Sequence, residues 1–248
     1  MVIILIVIDA HCHLSQYMGS GPASSLIEGM DAAKIDMAVV FGDNKFVAES
    51  VEIYSDRLIP FFYFNPRYEE AQIPELERHA KELGWKGVKV GHENALAPAM
   101  YRMMEVAEKY DLVFVIHSGP SYKYHPMIIG DLASSFPKVK TVILHIGGGM
   151  SLDVELVSTN VAEKNPNIYL ETSYAHPYAI KHAVERIGVE RIMYGSDASN
   201  NGFARHYIHP GAYQEIHMET VRLIGLPEEQ EDMILGGSVA KLLGVDTN

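Results

Sequence analysis

Eight short apolar runs, each followed by a stretch of helical character, constrain the fold of this chain more than any other feature. They begin near residues 3, 37, 58, 87, 112, 141, 168 and 191. Their enrichment in Val, Ile and Phe is that of strands buried on both faces of a parallel sheet. Segments 24–34, 45–54, 74–83, 98–110, 127–136, 151–164 and 178–187 read as the intervening helices, several with Pro near the start or Gly at the end. Segments 213–224 and 238–243 read as closing helices. Such alternation specifies either an eightfold strand–helix barrel or an open doubly wound sheet. No Gly-x-Gly-x-x-Gly follows the first run, and eight repeats in 248 residues match the roughly 250 of a TIM-type (β/α)8 barrel. The expectation is therefore an α/β chain forming one TIM-type barrel domain over residues 1–248, slightly elaborated at its end.

Composition narrows the class of function. With 32 acidic residues against 20 Lys and Arg, the formal charge is −12. Nucleic acid and anionic membrane surfaces, which call for basic patches, are not expected partners. No apolar run reaches the length of a membrane span. The apolar N-terminus lacks a basic flank and runs straight into Asp9 and His11, so it reads as the first strand, not as a signal peptide. Cys12 is the only cysteine, which rules out an intrachain disulfide and fits a reducing, cytoplasmic compartment. A homodimer is the default expectation for a soluble enzyme.

The chemistry gathers at the strand ends. In a strand, alternate side chains share a face, so His11 and His13 project together while Cys12 points away as a buried thiol. The fifth run ends at His117, the sixth at His145 and the eighth at Asp197. In a barrel these positions share the C-terminal face, where active sites are built. Zinc takes His nitrogen and carboxylate oxygen, and a catalytic site keeps one position open to water, whose pKa the ion lowers towards neutrality.

Four stretches carry a specific resemblance: Asp9-Ala10-His11-Cys12-His13, Val115-Ile116-His117-Ser118-Gly119, Val142-Ile143-Leu144-His145-Ile146-Gly147-Gly148 and Arg191-Ile192-Met193-Tyr194-Gly195-Ser196-Asp197. In this order they resemble the amidohydrolase superfamily, in particular the branch that includes aminocarboxymuconate semialdehyde decarboxylase and small metal-dependent hydrolases. The resemblance implies a metal held by His11, His13, His117 and Asp197, with Asp197 also accepting the proton of the water and His145 catalytic beside it. It implies one divalent ion, Zn2+ first, with Mn2+ or Fe2+ as alternatives. Lys89, on the fourth run, is a candidate bridging ligand, because two-metal members of the superfamily carry a carboxylated lysine at that place.

Arg67 and Arg205, after the third and eighth runs, and Tyr122 on the loop after the fifth are candidate substrate contacts; Tyr124 and His125 share that loop. His92 and Glu93 border the fourth run, and His176, His206, His209 and His217 have no strand-end context. The expected activity is hydrolysis of an amide, ester or lactone-type bond in a small molecule by metal-activated water. Non-oxidative decarboxylation of a small unsaturated or aromatic acid at the same site is the alternative. A non-catalytic ligand-binding barrel is the third reading.

Overall fold

A computed structural model describes residues 6–16, 20–200 and 209–245. Strands and helices alternate in chain order: β1 (Ile8–Leu14), α1 (Ser24–Ala33), β2 (Met37–Gly42), α2 (Asn44–Ile53), β3 (Leu58–Phe64), α3 (Glu69–Glu82), β4 (Gly87–Val90), α4 (Pro98–Lys109) and β5 (Val113–Ile116). They continue through α5 (Pro126–Ser135), β6 (Thr141–Ile143), α6 (Leu152–Lys164), β7 (Ile168–Glu171), α7 (Pro177–Ile187), β8 (Ile192–Met193) and β9 (Ala198–Ser199). Helices α8 (Ala212–Arg222), α9 (Glu228–Asp232) and α10 (Ser238–Leu243) follow.

Every strand pairs in parallel with its sequence neighbour, from β8 through β1, and β9 pairs with the outer edge of β1. Because β8 and β9 are two segments of one extended stretch, the sheet curls back on itself. The carbonyl of Tyr194, between them, accepts from Ala10 N at 3.0 Å. This is the TIM-type barrel that eightfold alternation predicts, with the eighth strand in two pieces. Among the described residues no helix is long and apolar enough to cross a membrane.

Local sequence explains the helix starts. Pro98, Pro126 and Pro177 each occupy a first-turn position, where a missing N–H costs nothing. Asp43 caps α2, its Oδ1 accepting from the N–H groups of Lys45 and Phe46 at 3.1 Å each. Helix α3 starts at Glu69, five residues before Pro74, where the sequence alone suggests its beginning. Two acidic residues in its first turn favour that start, and Pro74 is absorbed inside the helix.

The apolar residues divide into two layers. Leu26, Phe62, Phe114, Ile143 and Tyr194 belong to the larger one, between strands and helices. Ile8, Ala10, Val39, Phe61, Val115, Val142 and Met193 fill the barrel interior, and Val239, Ala240 and Leu243 of α10 close it at the N-terminal ends of the strands. With that end plugged, polar chemistry is left to the other.

One irregularity aims it. The β1–β2 register shifts between Asp9 and Cys12. Ile8 and Ala10 line the interior, yet so do His11 and His13, while Cys12 and Leu14 join the outer layer. A bulge of this kind re-aims side chains by one position. Without it, His11 would share a face with Asp9 and lie among the helices.

Candidate metal centre

Four strand ends bring the imidazoles and carboxylates together. His11 Nε2 lies 3.1 Å from His13 Nε2 and 3.0 Å from Asp197 Oδ1, and His13 Nε2 lies 2.9 Å from the same oxygen. His145 joins them, with one ligand atom each of His11, His145 and Asp197 within 4.8 Å of one another. His117 stands one step further out, its Nδ1 3.2 Å from His145 Nε2. The structure therefore gathers all five residues proposed from strand-end position.

Two of them depend on backbone conformations that sequence pattern does not reveal. His145 sits at φ 58°, ψ 28°, and β6 ends two residues before it. Asp197 has φ 57° and divides β8 from β9. Both lie in the left-handed region, and Ile146 joins them at φ 43°, a costly conformation for a β-branched residue. Strain of about 1–3 kcal/mol per residue persists only where the surroundings enforce it.

Glu171, at the end of β7, supplies much of that enforcement, and strand-end reasoning should have included it. Its Oε2 accepts from His11 Nδ1 at 3.1 Å, from the backbone N–H of His145 at 3.1 Å and from Ser173 Oγ at 2.9 Å. Its Oε1 accepts from Ser173 N. A Cβ on Gly195 would lie 2.4 Å from that Oε1, so only glycine lets β8 pass this carboxylate. Asp9 anchors the first strand in the same way, accepting from the N–H groups of His11 and Ser196 at 3.0 Å each and from Ser196 Oγ.

The hydrogen bonds order the imidazole tautomers. His11 gives its Nδ1 proton to Glu171, which leaves Nε2 a lone pair in the neutral ring. Ser173 Oγ gives its proton to Glu171, so it accepts from His145 Nδ1 at 2.8 Å. The lone pair on His145 Nε2 then accepts from His117 Nδ1.

Electrostatics keep His13, His117 and His145 neutral and charge His11. Burial drives His145 and His13 down to about 4, in His145 with help from the nearby His11. It drives His117 to about 2 with help from His145. At His11 burial acts the same way, but Asp197 and Glu171 outweigh it and raise the imidazole to about 9. Burial disfavours the charged form of Asp197 too, and His11 and His13 still hold its carboxyl far below the usual range. Glu171 is likewise held at about 2 against its burial, chiefly by His11.

A divalent ion fits this donor set. Ligands about 2.0–2.1 Å from a common ion lie roughly 2.9–3.4 Å from one another. The three contacts among His11 Nε2, His13 Nε2 and Asp197 Oδ1 have that spacing, and an ion there would take the place of the proton that His11 carries beside Asp197.

Asp197 also lines a cavity of about 210 Å³, together with Ser25, Tyr174, His209, Tyr213 and Gln214. Tyr174 connects this cavity to the centre: its ring lies 5.9 Å from His145 and 4.7 Å from His217, whose Nδ1 accepts from Tyr174 N. Neither Tyr174 nor His217 carries a sequence signal beyond its residue type.

The remaining candidates separate. Lys89 is buried on the interior face of β4, its Nζ 4.8 Å above the Phe41 ring, and burial lowers it to about 7. Arg67 is 76% exposed and 3.7 Å from Glu93 Oε1, and Tyr122 is 75% exposed. Neither lines the cavity beside Asp197. Arg205 lies outside the described residues. The His92 ring lies against His117, tilted by 41° with centroids 3.7 Å apart, and Tyr124 packs against both rings. His125 and His176 are helix caps, accepting at Nδ1 from Met127 N and Tyr178 N.

This barrel, with a His/Asp centre on its C-terminal face, has known relatives. The sequence profile of the amidohydrolase family matches residues 8–245. The chain belongs to that family. The amidohydrolase fold is recovered equally in solved structures. One is 5-carboxyvanillate decarboxylase from Sphingomonas paucimobilis, with TM-score 0.71, 16% identity and coverage of 98% of this chain and 100% of that one. A second is a probable 2-pyrone-4,6-dicarboxylic acid hydrolase from Acinetobacter baumannii with citric acid bound, with TM-score 0.71, 16% identity and coverage of 96% and 99%. A third is 5-carboxyvanillate decarboxylase from Novosphingobium aromaticivorans complexed with manganese, with TM-score 0.69, 14% identity and coverage of 98% and 97%. These similarities establish the fold. Membership of the amidohydrolase family makes the chain one of a family of enzymes.

Proposed function

We propose that this amidohydrolase cleaves an amide, ester or lactone-type bond of a small molecule at one divalent ion, zinc or manganese. His11, His13 and Asp197 hold the ion, with His117 completing the set. The observation that carries the reading is the double placement of Asp197: its Oδ1 touches both Nε2 atoms of the first-strand pair, and its side chain opens onto the cavity. When bound, such an ion lowers the pKa of water towards neutrality and polarises the scissile bond.

The chain's own residues supply the rest. Asp197, a carboxylate between two imidazoles, takes the proton of the water. His145 presents the Nε2 lone pair on the same side, where it takes the water proton on from Asp197 and passes it to the leaving group, while Ser173 and Glu171 fix its tautomer through Nδ1. The apolar interior beneath the site keeps bulk water away from that end.

Decarboxylation of a small aromatic or unsaturated acid is the second reading, favoured by decarboxylases among the solved structures of this fold. The discriminating experiment incubates metal-loaded enzyme with a panel of small esters, amides, lactones and aromatic acids in 18O-water. Hydrolysis predicts one 18O in the product acid. Carbon dioxide release with no 18O in the organic product would establish the decarboxylase, and no turnover on any panel member would support the binding barrel.

Protons compete with the ion. In the metal-free chain the neighbouring carboxylates outweigh burial and keep His11 protonated up to about 9, and a His ligand binds metal only when neutral. Ion affinity is therefore expected to rise about tenfold per pH unit from neutrality to that value and then level off. Calorimetry in buffers of different ionisation heat should show about one proton released per ion near neutrality; no release would contradict His11 as a ligand.

A further inference from the structure

Among the described residues, the Lys89 amine lies inside the barrel with no hydrogen-bonded counter-ion. Lys89 is 2% exposed. Its Nζ lies over the Phe41 ring, and among the described residues it makes no hydrogen bond or ion pair. Asp197 and Glu171 attract it from a distance, but both are committed elsewhere. Asp197 Oδ1 is shared by His11 and His13, and Glu171 is saturated by His11, His145 and Ser173. In its charged form this amine is withdrawn from water and needs a partner, and the described chain does not provide one.

Phe41 fixes where that partner would sit. The ring that lies under Nζ also packs against His11 at 5.3 Å and His13 at 4.8 Å between centroids. Nζ and two of the ligand imidazoles therefore border the same aromatic ring. A single ammonium is a point charge with three donors, matched by one negative charge. Two buried carboxylates nearby would repel a dianion such as a phosphate, whereas a carboxylate balances the lysine and adds no more.

We propose that Lys89 Nζ binds a carboxylate of the substrate, so that the site selects small acids whose reacting bond lies a few atoms from that carboxylate. For the reaction this rests on the hydrolase reading; as a statement about binding it stands apart from turnover.

Calorimetry on the metal-loaded protein tests it with benzoate, its neutral isostere benzamide, and phenyl phosphate. The wild-type protein is expected to bind benzoate at least about tenfold more tightly than the other two, as befits a charge-assisted hydrogen bond. In Lys89→Met and Lys89→Gln that preference should vanish while benzamide affinity stays the same. Thermal melts and ion content verify that the variants are folded and loaded. Should both variants fail to fold, the wild-type protein labelled at the lysine ε-carbon still decides, because benzoate and not benzamide should shift the buried lysine resonance. The proposal is overturned if benzoate shows no preference in the wild-type protein, if the variants retain it, or if phenyl phosphate binds best. It is also overturned if two ions per chain fall to one in Lys89→Met, which would make this lysine a bridging carbamate. Binding is read without turnover, so a failed hydrolysis screen and a failed Lys89 are separate results.

Discussion

Asp197→Asn is expected to lower kcat by about 10²–10⁴-fold, the range for loss of a general base, while the protein stays folded. Asn keeps the volume and an oxygen that can face the imidazoles, but it cannot accept the proton of water. The side chain also contributes one of the closest contacts to both His11 and His13. Ion affinity should therefore fall together with kcat. The left-handed backbone at position 197 accommodates Asn as readily as Asp, so a fall in the melting temperature of the metal-free variant would report the lost ion pair with the buried His11 and not backbone strain. Steady-state kinetics at saturating metal check the prediction. Turnover within a factor of about three of the wild-type rate would exclude Asp197 as the proton acceptor.

Glu171→Gln is expected to damage both the fold and the metal centre. The wild-type carboxylate is fully buried and accepts from His11, Ser173 and the N–H of His145. A glutamine amide turns one acceptor oxygen into a donor that faces other donors. It also removes the negative charge that helps hold His11 in place. Breaking a buried, hydrogen-bonded charge pair on one side costs about 3–5 kcal/mol. Loss of the outer partner of a metal-ligating His typically costs about 10–100-fold in metal affinity. Denaturant melts of the metal-free protein and competitive ion titration measure the two effects separately. A variant with unchanged ion affinity would remove Glu171 from the support of the centre.

Much of this site was legible in the sequence because strand ends are legible. Short runs of Val, Ile and Phe between Gly and Pro signals marked β3 at its observed bounds and placed His11, His13, His117, His145 and Asp197 at one end of the barrel. The same criterion applied to β7 points to Glu171, a carboxylate closing an apolar run, yet nothing in pattern alone distinguishes a hub for four donors from an ordinary exposed acid. The left-handed residues were invisible for a different reason. Periodicity reports burial, and His145 and Asp197 are buried or half-buried whether or not their backbone continues the strand. Hence the sixth and eighth strands read longer than they are. The bulge in β1 is equally silent, because His11 and His13 share a face with or without it. Only the barrel's interior layer, with Ala10 beside His11, reveals that the strand shifts. His125 and His176, which have the same residue type as the centre, are caps because of where their helices begin.

The central claim is that His11, His13 and Asp197 form one ion site, and metal content per chain tests it most directly. The protein is purified without chelator, reconstituted with zinc or manganese, freed of excess ion and measured by elemental analysis beside a His11→Ala variant. The account predicts about one ion per wild-type chain and almost none in the variant. No bound ion in the wild-type chain after reconstitution with either metal, or equal content in the two proteins, would contradict it.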